Sequence, residues 1–318
     1  MNGLAKTSLL LVIVLVSLSA YLRLAHSGIG CADWPACYGQ IGEPPSVSQP
    51  VSPQDAYQKM GEEANQPMAW ATPLHRLVAS VLGLLVFFLM YFSLRQKRQR
   101  LISFALLALT VFLAVLDIRS GSLHSPAVVM GNLAGGFAML GLLGWMVFSP
   151  SDSEPRVDRN TSVRNLVIVA IAALCLQIFL GGLTSANFAA TSCRTLPDCH
   201  GSWLPGSALI KAMDLSRKHE VTSMGQAIGG EERLAIHKTH RLGAVLTFTL
   251  VLIAAIVALW ADRRYRLVGI VILVLLNIEF AVGVTAILTS LPIGLAVAHN
   301  WLAGLLLLAL LKLLVISR

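Results

Sequence analysis

The chain has 318 residues, of which 56% are hydrophobic and 13% are charged, and its mean hydropathy is +0.72. This composition excludes an ordinary soluble domain, in which about 25% of residues are charged. The net charge of +8 does not indicate nucleic-acid binding, because the basic residues lie in short stretches between long apolar segments. We therefore predict a membrane protein that contacts the lipid bilayer and no nucleic acid.

Eight apolar segments are long enough to cross a bilayer, which takes roughly 20 apolar residues in a helix. The first is interpreted as an uncleaved helix, because Arg23 and His26 stand where small residues would mark a signal-peptide cleavage site. The predicted fold class is all-α, with eight transmembrane helices. The segments cover 7–25, 73–94, 101–119, 126–148, 165–186, 239–260, 266–289 and 292–315.

Basic residues between the segments predict how the chain crosses the membrane. They cluster after the second, fourth and sixth segments, at 95–100, 156–164 and 263–266. Cytoplasmic loops of membrane proteins carry an excess of Lys and Arg, so both termini are predicted to be cytoplasmic. The predicted location of the chain is the cell inner (plasma) membrane. The long stretches 26–71 and 187–237 are then outside.

One unusual string occurs twice in the chain. Residues 31–39 read CADWPACYG, and residues 193–201 read CRTLPDCHG. Each copy follows an apolar segment and precedes a His-Arg-Leu-x-Ala sequence, at 75–79 and 240–244. A repeated loop followed by a repeated histidine predicts a duplicated bundle with a site in each half.

The repeat divides the chain into an N-terminal half, residues 1–150, and a C-terminal half, residues 163–318. Residues 151–162 are polar and rich in turn formers, which indicates a cytoplasmic linker. Four helices in each half give the halves the same orientation. We predict two pseudo-symmetric four-helix bundles related by an axis along the membrane normal.

A polar residue four positions before a glycine recurs in three apolar segments. Glycines in such segments are predicted to let helices approach closely. The pairs are Asp117 with Gly121, Gln177 with Gly181, and Glu279 with Gly283.

Four of the five cysteines fall in the predicted outer stretches. The outer stretches face an oxidising compartment, so we predict the disulfides Cys31–Cys37 and Cys193–Cys199. A metal site is the alternative, and a redox-active rather than structural role for the first pair stays open. Cys175 lies within an apolar segment and is predicted to be a small packing residue.

Three histidines, His75, His240 and His299, lie near the outer ends of predicted helices, a depth at which polar side chains are usually functional. Imidazole is a good iron ligand, and haem is commonly held by axial histidines. His240 and His299 are a candidate pair for clamping a haem between their helices. The alternative is two interfacial histidines bonded to loops.

The first half has His75 in the place of His240 but no match for His299. Alignment of the halves puts Gly131 or Asn132 at that place. The second half is therefore predicted to hold a six-coordinate haem, and the first half a more open site with one protein ligand.

Arg76 and Arg241 directly follow two of these histidines. Both are predicted to pair with haem propionates through charge-assisted hydrogen bonds, and anchoring at the membrane interface is the alternative. His237 shares a helix face with His240 and is predicted to orient a propionate or the loop.

These residues make the chain resemble the haem A synthase family over nearly its whole length. The specific elements are residues 23–39, the His75-Arg76 and His240-Arg241 pairs, and the proline-led segment containing His299. The resemblance implies eight transmembrane helices in two pseudo-symmetric halves. It also implies oxidation of the C8 methyl of haem O to a formyl group by successive hydroxylations, giving haem A for cytochrome oxidase.

The resemblance also implies roles for individual residues. His240 and His299 would ligate the iron of a haem b, and His75 would face the substrate haem O. Cys31 and Cys37 match the family's first outer-loop cysteine pair. Haem O synthase, cytochrome oxidase assembly factors, an unidentified electron acceptor and a second copy of the chain are the candidate partners.

Two positions depart from the family pattern. The family usually has a glutamate three residues before the first-half histidine. Here Thr72 occupies that place and is kept as a candidate catalytic residue beside His75. The family's other first-half histidine falls at Gly131 or Asn132. These departures leave open a divergent member that binds haem b for electron transfer or haem handling. A transporter has less support, because the polar residues crowd the outer helix ends.

Overall fold

The computed structural model describes residues 2–26, 70–118, 126–149, 160–216 and 230–318. Within these ranges the chain forms nine helices, and all except the short α6 are long and apolar enough to cross a membrane. The predicted all-α fold with eight spanning helices is confirmed, and the chain is a multi-pass membrane protein. The helices are α1 Asn2–His26, α2 Ala71–Gln96, α3 Arg100–Ile118, α4 Pro126–Phe148, α5 Thr161–Ala186, α6 Ala208–Ala212, α7 Gly230–Ala261, α8 Arg263–Leu288 and α9 Ile293–Ile316.

Helix α7 begins at Gly230, well before its apolar segment was predicted to begin at 239. Glu231 and Glu232 occupy its first turn, where carboxylates stabilise the exposed N–H groups of a helix. Lys211 of α6 lies 3.1 Å from Glu232 and ties the short helix to this extension. As a result, His240 lies roughly 15 Å along the helix, at ~1.5 Å per residue.

Each half closes into a ring of four helices. In the first half the neighbours follow the order α1, α2, α3, α4 and back to α1, and in the second half the order α5, α7, α8, α9 and back to α5. Between the halves, α1 packs on α9, α5 packs on α4, and α4 packs on α9. Exchanging the halves leaves this set of neighbours unchanged, which is consistent with the predicted pseudo-symmetry.

The two halves meet closely where α4 crosses α9. A Cβ atom added to Gly144 would lie 2.5 Å from Cδ2 of Leu308, and one added to Gly304 would lie 3.1 Å from Cδ2 of Leu140. Each helix therefore presents a glycine to a leucine of the other. Half of each of these two spans is buried, so the core of the molecule lies along this contact.

The structure does not support the packing role predicted for Cys175 of α5. Cys175 is exposed on the bundle surface, so its predicted packing role is wrong.

Residues 151–159 of the predicted linker lie outside the described residues. Helix α5 begins just after them, where the Asn160 side chain accepts a hydrogen bond of 3.1 Å from the Val163 N–H.

Candidate functional site

The ring of His240, on α7, is held by α5. Its Nδ1 lies 3.1 Å from Nε2 of Gln177, and the same amide nitrogen donates to the His240 carbonyl oxygen at 3.1 Å. Gly181, one turn further along α5, leaves space for the ring, since a Cβ atom there would lie 3.3 Å from its Cε1. An iron-binding Nε2 requires the ring proton on Nδ1, so the Gln177 amide must then turn its oxygen toward Nδ1.

The ring of His299, on α9, is held by α8 in a similar way. Its Nδ1 lies 3.3 Å from Oε1 of Glu279. A Cβ atom added to Gly283, one turn further along α8, would lie 3.0 Å from Cε1 of the ring. Protein leaves 35% of the His299 side-chain surface uncovered. Here too a polar side chain lies beside one ring nitrogen, and a glycine makes room for the ring edge.

The two rings belong to one site. Helices α7 and α9 are diagonal members of the second ring of helices, each packing on both α5 and α8. His240 and His299 are close enough for a charge on one to act on the other. The structure therefore brings together the two histidines that the sequence predicts as a pair.

The donor set at this site suits haem better than a bare metal ion. Among the described residues, no three His, Cys, Asp or Glu side chains cluster as a metal site. A protein-only zinc site needs three or four ligands, whereas haem iron takes four nitrogens from its porphyrin and needs only axial ligands. Two imidazoles in one bundle, each with Nδ1 beside a polar side chain, are a donor set that fits a haem.

The first half has a simpler arrangement around His75, on α2. Asp117, at the end of α3, is close enough for its charge to act on the His75 ring. Thr72 lies one turn before His75 on the same helix. Gly131 of α4 faces Leu116, whose Cδ2 would lie 2.7 Å from an added Cβ atom. Leu116 thus covers the helix position that aligns with His299.

The structure gives the two arginines different surroundings. Arg241 is buried and donates to the carbonyl oxygens of Thr195 and Asp198 from Nη1 and of Cys193 from Nη2, at 2.6, 2.8 and 2.6 Å. It therefore clamps the loop 193–199, and its predicted contact with a haem propionate stays a prediction. Arg76 is exposed, and its predicted propionate contact stays a prediction.

The loop 193–199 is closed by the predicted disulfide between Cys193 and Cys199, with Cα atoms 5.4 Å apart. We call residues 193–199 the disulfide loop. His237 is buried on α7 and bonds to the backbone of Ala189, just before this loop. Ala189 lies outside the disulfide loop, so the predicted role of His237, orienting a propionate or the loop, stays a prediction. Cys31 and Cys37 lie outside the described residues.

Sequence reasoning missed a link between the halves beside His299. Nε of Arg23, on α1, donates to Oγ of Ser185 on α5 at 3.1 Å, and its Nη2 lies 3.4 Å from Oδ1 of Asn300 on α9. Asn300 directly follows His299. The signal for this link in the sequence is a charged residue, Arg23, near the end of an apolar segment.

Fold and site together define a class: a helical membrane protein with two neighbouring histidines inside one bundle. The profile of the COX15-CtaA family, described as cytochrome oxidase assembly proteins, matches residues 3–311. The chain belongs to this family, the haem A synthase family that its motifs resemble.

Proteins that align with nearly the full length of this chain are named Heme A synthase. A protein of Shewanella oneidensis named Heme A synthase is 32% identical over 98% of this chain and 94% of its own. Proteins of the same name from Neorickettsia sennetsu and Rhizobium etli are 27% and 26% identical, over 94% and 92% of this chain. They cover 93% and 83% of the relatives' own lengths.

Proposed function

We propose that the chain is a haem A synthase, a membrane oxidoreductase that converts the C8 methyl group of haem O to a formyl group. The observation that carries the proposal is the pair His240 and His299, each with Nδ1 held by a neighbouring helix. Full-length similarity to proteins named Heme A synthase favours this function over a haem-handling role without methyl oxidation.

The second half is proposed to hold a haem b between His240 and His299. When bound, haem supplies one-electron redox chemistry at its iron. The protein's part is to aim two imidazoles across the bundle and to surround them with apolar helices. With two histidines as its protein ligands, this haem would be suited to electron transfer and not to binding a substrate.

The first half is proposed to bind haem O, with His75 facing its iron. Thr72 lies one turn before this histidine on α2, and the charges of Asp117 and Arg76 act on its ring. Leu116 against Gly131 leaves the opposite side without a second imidazole. A site with one protein ligand keeps the other face accessible, which oxidation of the substrate requires.

The further proposals concern the setting of the reaction. The chain is proposed to lie in the cell inner membrane with both termini in the cytoplasm, following the basic residues. Residues 1–150 form the substrate half and residues 163–318 the haem b half, joined by 151–162. Haem O synthase, cytochrome oxidase assembly factors, an electron acceptor and a second copy of the chain are the proposed partners.

Pigment extraction tests the function. The full chain is expressed in cells that make haem O but lack their own haem A synthase, and the haems are separated by chromatography with mass detection. We expect haem A or its hydroxylated precursor. Haem O and haem B alone, beside a control synthase that makes haem A in the same cells, would refute the activity.

A further inference from the structure

The repeated pairing of a polar residue with a glycine four positions later has a use beyond helix packing. In the sequence this motif predicts only a close helix approach. In the structure, both complete copies within the described residues lie against a histidine of the proposed haem site. Gln177 and Gly181 contact His240, and Glu279 and Gly283 contact His299.

The spacing explains why the motif fits an imidazole. Residues i and i+4 lie on the same helix face, one turn or about 5.4 Å apart. The polar side chain therefore reaches Nδ1 at one edge of the ring, while the glycine lies beside Cε1. Any side chain at Gly283 would begin 3.0 Å from Cε1 of His299.

The two copies differ in chemistry. The Gln177 amide nitrogen faces Nδ1 of His240, which matches a ring with its proton on Nε2. With the amide turned, its oxygen accepts from Nδ1–H and the lone pair of Nε2 is free. An ionised carboxylate only accepts, so Glu279 favours the His299 tautomer with its proton on Nδ1 and a free lone pair on Nε2. That lone pair is what an iron ligand requires.

Glu279 has little reason to be in α8 for stability alone. Only 14% of its side chain is exposed, and its Oε2 is buried without a hydrogen-bond partner among the described residues. A buried carboxylate is costly unless it is paired. Its nearest charged or titratable partner is the ring of His299, which argues that this contact is the purpose of the residue.

We infer that Gln177 and Glu279 are positioning residues that aim Nε2 of His240 and His299 at the haem iron, and that Glu279 lowers the reduction potential of the haem. A carboxylate on Nδ1–H makes the imidazole a stronger electron donor than an amide does. A stronger axial donor stabilises the oxidised iron. This inference rests on the proposed haem site of the second half.

Reciprocal substitutions test the inference by redox titration of the purified full chain, with the low-spin haem absorbance as readout. Glu279→Gln should raise the midpoint potential, and Gln177→Glu should lower it. Asn277→Gln is the matched control, since Asn277 lies two residues away on α8, is exposed and bonds only along its own helix, to Leu273. Its midpoint should equal that of the wild type.

A second readout reports ligand orientation directly. Gly283→Ala should push the His299 ring and change the g-values of the oxidised haem in electron paramagnetic resonance spectra. Loss of the haem from a folded Glu279→Gln protein would also support positioning, and Gln177→Glu then tests the potential. Unchanged midpoints and g-values in all three site variants would overturn the inference. A wild-type protein without low-spin haem would instead refute the proposed site.

Discussion

Nη2 of Arg241 donates a hydrogen bond of 2.6 Å to the carbonyl oxygen of Cys193. Arg241 directly follows His240, so one helix turn carries both a proposed haem ligand and the clamp of the disulfide loop. The loop and the ligand are therefore mechanically connected. A change in the loop should therefore alter the proposed haem site. Separate variants of the loop contacts and of the proposed ligands distinguish effects on stability from effects on the haem.

Replacing the clamp should destabilise the loop end of the bundle. Arg241→Lys keeps the charge but cannot reach three carbonyl oxygens at once. Buried acceptors left without donors cost about 1–3 kcal/mol. We expect faster proteolysis within 193–199 and a lower midpoint of thermal unfolding in detergent. Arg76→Lys, at an exposed position, should change neither measurement, and equal behaviour of the two variants would contradict the clamp.

The disulfide should stabilise the same loop. Closing a short loop by a disulfide contributes about 2 kcal/mol in the chain-entropy description. The double variant Cys193→Ser with Cys199→Ser should therefore unfold at a lower temperature than the wild type. Mass spectrometry after alkylation without reduction checks the bond itself. Alkylation of both cysteines in the untreated wild-type protein would show that the pair is not bonded.

Removing either proposed axial ligand should remove the low-spin haem of the second half. We expect His240→Ala and His299→Ala to lose the sharp absorbance bands of the reduced protein and most of the bound haem per chain. His200→Ala is the matched control, because His200 is exposed and directly follows the disulfide loop. A normal spectrum in both site variants would exclude the assignment.

The first-half histidine should be needed for product but not for that spectrum. His75→Ala is expected to abolish haem A formation in cells that make haem O, while the low-spin bands of the second half persist. The reason is that His75 belongs to the other ring of helices. If haem A still accumulates at the wild-type level, His75 is not the residue that faces the substrate.

The glycine contact between the halves should be sensitive to one added methyl group. Gly144→Ala places Cβ 2.5 Å from Leu308, and such overpacking costs about 1–3 kcal/mol. Gly141→Ala, on the same helix, places Cβ at an ordinary 3.8 Å from Leu311 and should leave stability nearly unchanged. Thermal unfolding of the two variants side by side measures the difference. Equal stability would mean that the α4–α9 contact is not tightly packed.

The membrane fold and the candidate histidine pair could both be predicted from the sequence. Apolar segments of the right length must become helices in a bilayer, because no other open structure satisfies the backbone there. The internal repeat then identified His75, His240 and His299 as equivalent or paired positions. These conclusions follow from composition, spacing and duplication, which need no knowledge of how the helices pack.

The partner of each polar side chain, in contrast, depends on how the helices and loops pack together. Arg241 holds three carbonyl oxygens of the disulfide loop, because that loop folds back onto α7. Its local sequence does not indicate these partners. Gln177 and Glu279 looked like parts of a packing motif until neighbouring helices brought His240 and His299 beside them. Contacts between helices far apart in the chain depend on rotation and crossing of the whole bundle, and local sequence does not specify either.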